Sequence, residues 1–95
     1  MQYQKPKVIF VDVDGTLRTG QFINERTVDW CKSQKTAGFS LVLWSSRGEP
    51  YAKQTAAAIG ITGLFDHIIS KPGYILDDKG WTWTKYTQIA RIGEG

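Results

Sequence analysis

The sequence predicts an α/β fold around a mainly parallel sheet, and two observations carry that reading. Short apolar stretches rich in β-branched residues alternate with amphipathic stretches bearing helix start and stop signals: Lys7–Val13, then 24–37, then Phe39–Trp44, then 50–59, then His67–Ile69. Strand–helix–strand–helix–strand alternation calls for parallel strands joined by right-handed crossovers. Each apolar stretch also stops abruptly at a polar cluster, which places those clusters together at one end of the sheet.

Lys7-Val8-Ile9-Phe10-Val11-Asp12-Val13 is apolar at successive positions, the pattern of a strand buried on both faces. Asp14-Gly15-Thr16 ends it, and residues 17–23 read as a polar loop. Asn24 is a suitable N-cap, Glu25 sits in the first turn, and Ile23 before the cap can staple onto Val28. That helix is expected to run to about Ala37, with Gly38 as the left-handed residue beyond it.

Phe39–Trp44 is a second buried strand, closed by Ser45-Ser46-Arg47-Gly48. Pro50 suits the first turn of a second helix, in which Ala52, Ala56 and Ile59 recur at helical spacing before Gly60. His67-Ile68-Ile69 and Tyr74-Ile75-Leu76 read as two further short strands, with His67 a core histidine. From Trp81 onward the chain is aromatic and threonine-rich, a short strand or helix. There is no repeat, linker or low-complexity run, so residues 1–95 are expected to form a single domain. At this size it buries roughly 60–65% of the surface the unfolded chain exposes.

Composition removes several classes of function. At 41% hydrophobic the chain is not intrinsically disordered, and Val8–Val11 and Leu41–Trp44 fall far short of the roughly 18 apolar residues a membrane span needs. No apolar segment follows Met1–Lys7, so no secretory signal is expected. A lone Cys31 supports neither an intrachain disulfide nor a cysteine-rich zinc site, which points to a reducing, cytoplasmic setting.

The net charge of +3 hides an asymmetry. Asp12/Asp14 and Asp77/Asp78 form two tight acidic groups, and outside them twelve basic side chains face five acidic ones. A basic body around a carboxylate cluster suits anionic substrates received by a metal, although an ordinary basic surface has the same charge.

Asp12-Val13-Asp14-Gly15-Thr16, Ser45-Ser46-Arg47 and Asp77-Asp78 each follow an apolar strand. If they converge, four carboxylates at strand ends call for a cation, and all-oxygen ligation favours Mg²⁺. Such an arrangement suits phosphoryl transfer. One carboxylate attacks phosphorus, a second serves as acid and base, and hydroxyl, backbone and lysine donors receive the phosphoryl oxygens.

VIFVDVDGTL (Val8–Leu17) resembles the first motif of the haloacid dehalogenase (HAD) superfamily of phosphatases, an apolar strand followed by DxDGT. The resemblance continues through LVLWSSRG (Leu41–Gly48), IGITGLFDHIISKP (Ile59–Pro72) and YILDDK (Tyr74–Lys79), covering roughly residues 7–79 in the family's order. It implies a three-layer, Rossmann-like core. It also implies Asp12 as nucleophile and metal ligand, and Asp14 as general acid/base with its carbonyl on Mg²⁺. Thr16 would brace the loop, Ser45 (or Ser46) would bind phosphate, and Lys71 would offset charge. Asp77, helped by Asp78, would complete the metal site. A phospho-receiver domain is disfavoured, since there the acidic pair comes first and the lysine last.

Two departures from the family pattern matter. The first loop holds about seven residues and Tyr51 stands only six positions past Ser45, so there is no room for a cap domain. The chain thus resembles a minimal, capless phage or bacterial type with an open site. An open site suits large substrates, a partner, or a homo-oligomer that covers it. Second, only Lys71-Pro72-Gly73 separate the third and fourth strands, too few for a parallel crossover. Pro72-Gly73 suits a type II turn, which would make residues 67–77 locally antiparallel. Lys71 would then sit three strand residues, roughly 10 Å, below Asp77, with Lys79 as its substitute.

Structural alternatives stand beside each assignment. Asp12/Asp14 can be a loop-capping pair, Ser45 a turn serine, Asp77/Asp78 a solvated turn, and Arg47 either a phosphate clamp or an exposed loop arginine. Trp81 and Trp83 either pack in a core or interface, or stack on a nucleobase. The expected function is a Mg²⁺-dependent phosphomonoester hydrolase acting on a phosphorylated small molecule or a nucleic-acid end, such as a nucleotide or nucleic-acid 3′-phosphate. The alternatives are a non-catalytic module on the same fold that binds a phospho-ligand or nucleic acid, and an assembly subunit using the aromatic tail. No membrane partner is expected.

Overall fold

A computed structural model describes residues 4–92; Met1–Tyr3, part of the stretch read above for a secretory leader, and residues 93–95 lie outside the described residues. The chain runs β1 (Val8–Asp12), β2 (Arg18–Thr19), β3 (Phe22–Ile23), α1 (Glu25–Thr36), β4 (Ser40–Ser45), α2 (Glu49–Ile59) and β5 (His67–Ser70). Short 3₁₀ segments cover Thr62–Leu64 and Gly80–Tyr86. β1, β4 and β5 form the expected parallel sheet in the order β1-β4-β5, with Asp12 opposite Trp44 and Ser45 opposite Ser70.

That strand order decides where the core lies. Both crossovers step in the same direction across the sheet, so two right-handed connections lay α1 and α2 on one face. Val11, Leu41 and Leu43 point into that face and pack with Val28 and Cys31 of α1 and Ala52 and Ala56 of α2. The alternate positions of β1 stand on the other face, where Val8 and Phe10 remain 44% and 47% exposed. The expectation of a strand buried on both faces is therefore corrected. An apolar run shows that a strand can be covered twice, but the number and order of strands decide whether it is. Over the second face lies the 3₁₀ segment with its aromatic side chains.

Helix ends follow the local signals. Gly38 (φ +98°) and Gly60 (φ +83°) take the left-handed conformation after α1 and α2, where a side chain would be strained. Asn24 occupies the N-cap position without capping; its Nδ2 donates instead to the Thr16 carbonyl and to Thr19 Oγ1, each at 3.0 Å. It thereby ties the helix start to the loop after β1. Residues 17–23, expected as a plain loop, contain the β2–β3 hairpin.

β5 is joined to β4 through Asp66. Its Oδ2 accepts the Leu41 N–H at 2.8 Å while its own N–H donates to the Leu41 carbonyl at 2.8 Å. Hydrogen bonds from Lys35 and Leu41 hold the Asp66 carboxyl below its usual range. This contribution to folding is present above the ordinary aspartate pKa and lost as pH falls through the depressed one.

Three further expectations are corrected. His67 opens an edge strand and is exposed, not a core residue. Tyr74–Leu76 forms no strand, Leu76 is fully exposed, and so no antiparallel pairing runs across 67–77. The core alternative for Trp81 and Trp83 is the third: they are 54% and 39% exposed and outside the core, which leaves the interface and base-stacking alternatives.

Candidate active site

Parallel strands of matched register bring Asp12, Ser45 and Lys71 to the same end of the sheet. The loop after Asp12 is wound around one carbonyl. The Val13 oxygen accepts the N–H groups of Thr16, Leu17 and Arg18 at 2.9–3.2 Å. Gly15 (φ +81°) permits the turn, and its N–H donates to the Arg18 carbonyl at 2.7 Å. Buried Val13 and Leu17 anchor the loop from below, so Asp12 and Asp14 project from a fixed backbone. Thr16 braces the loop through its carbonyl, which holds Asn24.

Lys71 reaches Asp12 although it lies two strands away. It follows β5 directly, its N–H extends the ladder to the Ser45 carbonyl (2.9 Å), and its Nζ lies 3.2 Å from Asp12 Oδ1. On the way it passes 5.6 Å from the centroid of the Trp44 ring. Both charged groups are about one-third exposed, so the pair is open to an incoming anion. Lys79, the alternative lysine, uses its backbone N–H to cap Asp77 Oδ1 at 2.8 Å.

Asp14 has a partner that sequence reasoning missed. The Tyr51 hydroxyl donates to Asp14 Oδ1 at 2.6 Å. Arg47 stacks on the Tyr51 ring, its guanidinium 3.8 Å from the centroid, and its Nη1 stands 3.7 Å from Asp14 Oδ2. The available signal was helix phase: Tyr51 sits in the first turn of α2, which begins beside the same end of the sheet. Gly48 (φ +105°) makes that start possible, and Ser70 Oγ accepts the Glu49 N–H at 2.7 Å.

Ser45 is 2% exposed, and its Oγ accepts the Arg47 N–H at 3.0 Å, which fixes the Ser45–Gly48 turn. Ser46 and Arg47 beside it are exposed. Asp77 and Asp78 are exposed within a turn held by the Lys79 and Gly80 N–H groups. Among the described residues, no three His, Cys, Asp or Glu side chains gather as a metal-holding group. The expected convergence of Asp12, Asp14, Asp77 and Asp78 is thus corrected, because no strand forms at 74–76 to carry the second pair to the sheet. The donors at Asp12 and Asp14 still suit a hard cation, since Mg²⁺ is commonly held by one or two carboxylates with water and substrate oxygens for the rest.

Cys31 is buried on the core side of α1, and burial pushes its thiol up to about 11, the state of an inert core cysteine. Among the described residues no helix is long and apolar enough to cross a membrane. A sequence profile of haloacid dehalogenase-like hydrolases matches residues 9–91. No curated protein and no solved structure matches the chain significantly.

Proposed function

The chain belongs to the haloacid dehalogenase-like hydrolases, and on that premise we propose that it is a phosphomonoester hydrolase, one catalytic domain that works through an aspartyl-phosphate. The observation that carries the reading is the Asp12–Lys71 pair, 3.2 Å apart, with Asp14 two residues on and held by Tyr51. A carboxylate nucleophile needs its charge and that of the phosphoryl group offset before they approach, and the Lys71 ammonium supplies this at Asp12 Oδ1. Mg²⁺, held by Asp12 and the Asp14 carbonyl, would neutralise phosphoryl oxygens in the same way. Asp77 and Asp78 join it only if residues 74–78 move against β1.

In the first step an Asp12 oxygen attacks phosphorus, the bond to the leaving oxygen breaks, and a proton from Asp14 goes to that oxygen. Water then attacks the acyl phosphate, gives its proton back to Asp14, and releases inorganic phosphate with the Asp12 carboxylate restored. Tyr51 fixes Asp14 Oδ1, and Oδ2, with Arg47 Nη1 3.7 Å away, carries the proton. Arg47 beside Asp14 and the exposed Ser46 next to it in sequence, with Ser45 shaping their turn, are the donors for the phosphoryl oxygens. A phosphorylated small molecule or a nucleic-acid end can enter the open site, and a second copy of the chain can cover it. The reducing cytoplasm suits the lone buried Cys31.

Release of inorganic phosphate from a generic aryl phosphate, in Mg²⁺ and in EDTA, tests the reading. Release only with Mg²⁺ supports it. Folded protein with no release from a panel of phosphate esters, but with salt-sensitive oligonucleotide binding, favours the non-catalytic alternative.

Tyr51→Phe separates two roles of one side chain. It keeps the ring on which Arg47 stacks and removes the hydroxyl on Asp14, so kcat for the aryl phosphate is expected to fall about threefold to tenfold with KM and melting temperature nearly unchanged. An unchanged kcat would remove Tyr51 from the account.

A further inference from the structure

A cavity of about 620 Å³, within the range of small-molecule pockets, is lined from the open face of the sheet, from Trp30 and Gln34 of α1 and from the C-terminal segment. Phe10 and Trp44 form its floor, in edge contact with ring centroids 4.6 Å apart, and Trp81, Trp83 and Tyr86 of the C-terminal segment face them across the space. Gln34 and Gln88 add side chains that both donate and accept hydrogen bonds. No Asp or Glu is among the lining residues.

Cations instead surround the aromatic walls. Lys7 stands 5.9 Å from the centroid of the Phe39 ring, Lys71 5.6 Å from that of Trp44, and Lys85 5.1 Å from that of Tyr86. The cavity is also continuous with the catalytic end. Trp44 is the register partner of Asp12, Lys71 touches both, and Pro72, next to Lys71, lines the wall.

We propose that this cavity receives the base of a nucleoside monophosphate whose phosphate is presented to Asp12. The proposal rests on the phosphomonoester hydrolase reading and narrows its substrate class. A flat, apolar base satisfies the aromatic walls, its polar edge matches the glutamines, and Lys71, between the Trp44 wall and Asp12, offsets the charge of the attached phosphate. The cavity's volume accommodates a mononucleotide.

Steady-state kinetics of the Mg²⁺-loaded full chain on AMP and on glycerol 3-phosphate test it, with AMP binding to the Asp12→Asn protein followed by tryptophan fluorescence. The wild type is expected to show a KM for AMP about tenfold below that for glycerol 3-phosphate. Trp81→Ala should raise the AMP KM about tenfold with little change in kcat, while Tyr74→Ala, an exposed aromatic outside the cavity, leaves it unchanged. Equal KM values for the two esters and no response to Trp81→Ala would overturn the proposal and leave the hydrolase reading standing.

If neither ester is hydrolysed, the hydrolase reading fails separately and fluorescence decides for the cavity. Saturable quenching by AMP that weakens in the Trp81→Ala/Asp12→Asn protein supports a base site, and no saturable quenching overturns it. An oligonucleotide 3′-phosphate with a lower KM than AMP would overturn the choice of a mononucleotide.

Discussion

Lys71→Met is expected to leave a folded protein whose turnover of an aryl phosphate is lower by about a hundredfold to a thousandfold, the usual effect of removing one donor that faces developing phosphoryl charge. The geometry gives the reason. Lys71 Nζ lies 3.2 Å from Asp12 Oδ1, and without it the nucleophile's negative charge faces the substrate's with this side-chain cation missing. The side chain is about one-third exposed, so its truncation opens no cavity in the core and the melting temperature should change little. Lys79→Met is the companion measurement. Lys79 contacts Asp77 through its backbone, and its side chain can be removed without disturbing that contact. A large loss at Lys79 and none at Lys71 would exchange the two lysines.

Leu43→Ala is expected to destabilise the fold by about 2–5 kcal/mol. Leu43 is fully buried in the central strand, packed with residues from both helices, and its neighbours are held by backbone ladders that cannot collapse into the gap. In a domain this size, with roughly 5–15 kcal/mol of total stability, that lowers the melting temperature by about 10–30 °C. Val8→Ala, on the open face and 44% exposed, should stay within about 1 kcal/mol of wild type. Thermal unfolding followed by circular dichroism measures both. Equal effects would mean that the two faces of the sheet are equally buried.

What was legible in the sequence is local. Gly38, Gly60 and Pro50 mark helix ends because backbone sterics act within a few residues, and the apolar runs before Asp12 and Ser45 are strands by composition alone. Asp12-Val13-Asp14-Gly15-Thr16 is legible for the same reason: its turn closes on itself through the Val13 carbonyl. Non-local choices were not legible. Whether Tyr74–Leu76 pairs with β1, whether Phe10 is covered, and whether His67 lies on an edge all depend on which elements neighbour which. Tyr51 was hidden because nothing in its own neighbourhood names Asp14, 37 residues away, as its partner. The sequence brings Lys71 toward the site through a turn that does not form. The parallel register of β5 with β4, with the lysine just past Ser70, is what lets it reach Asp12.

The claim that Asp12 is the nucleophile meets its most direct test in aryl phosphate hydrolysis by wild type and Asp12→Asn, each with Mg²⁺ and with EDTA. The substitution keeps the shape of a partly exposed side chain and removes only its charge and nucleophilicity, so the fold should survive it. Turnover confined to the wild type with Mg²⁺, and lost by at least about a thousandfold in Asp12→Asn, is the predicted result. Comparable Mg²⁺-dependent turnover by the folded Asp12→Asn protein would contradict the account.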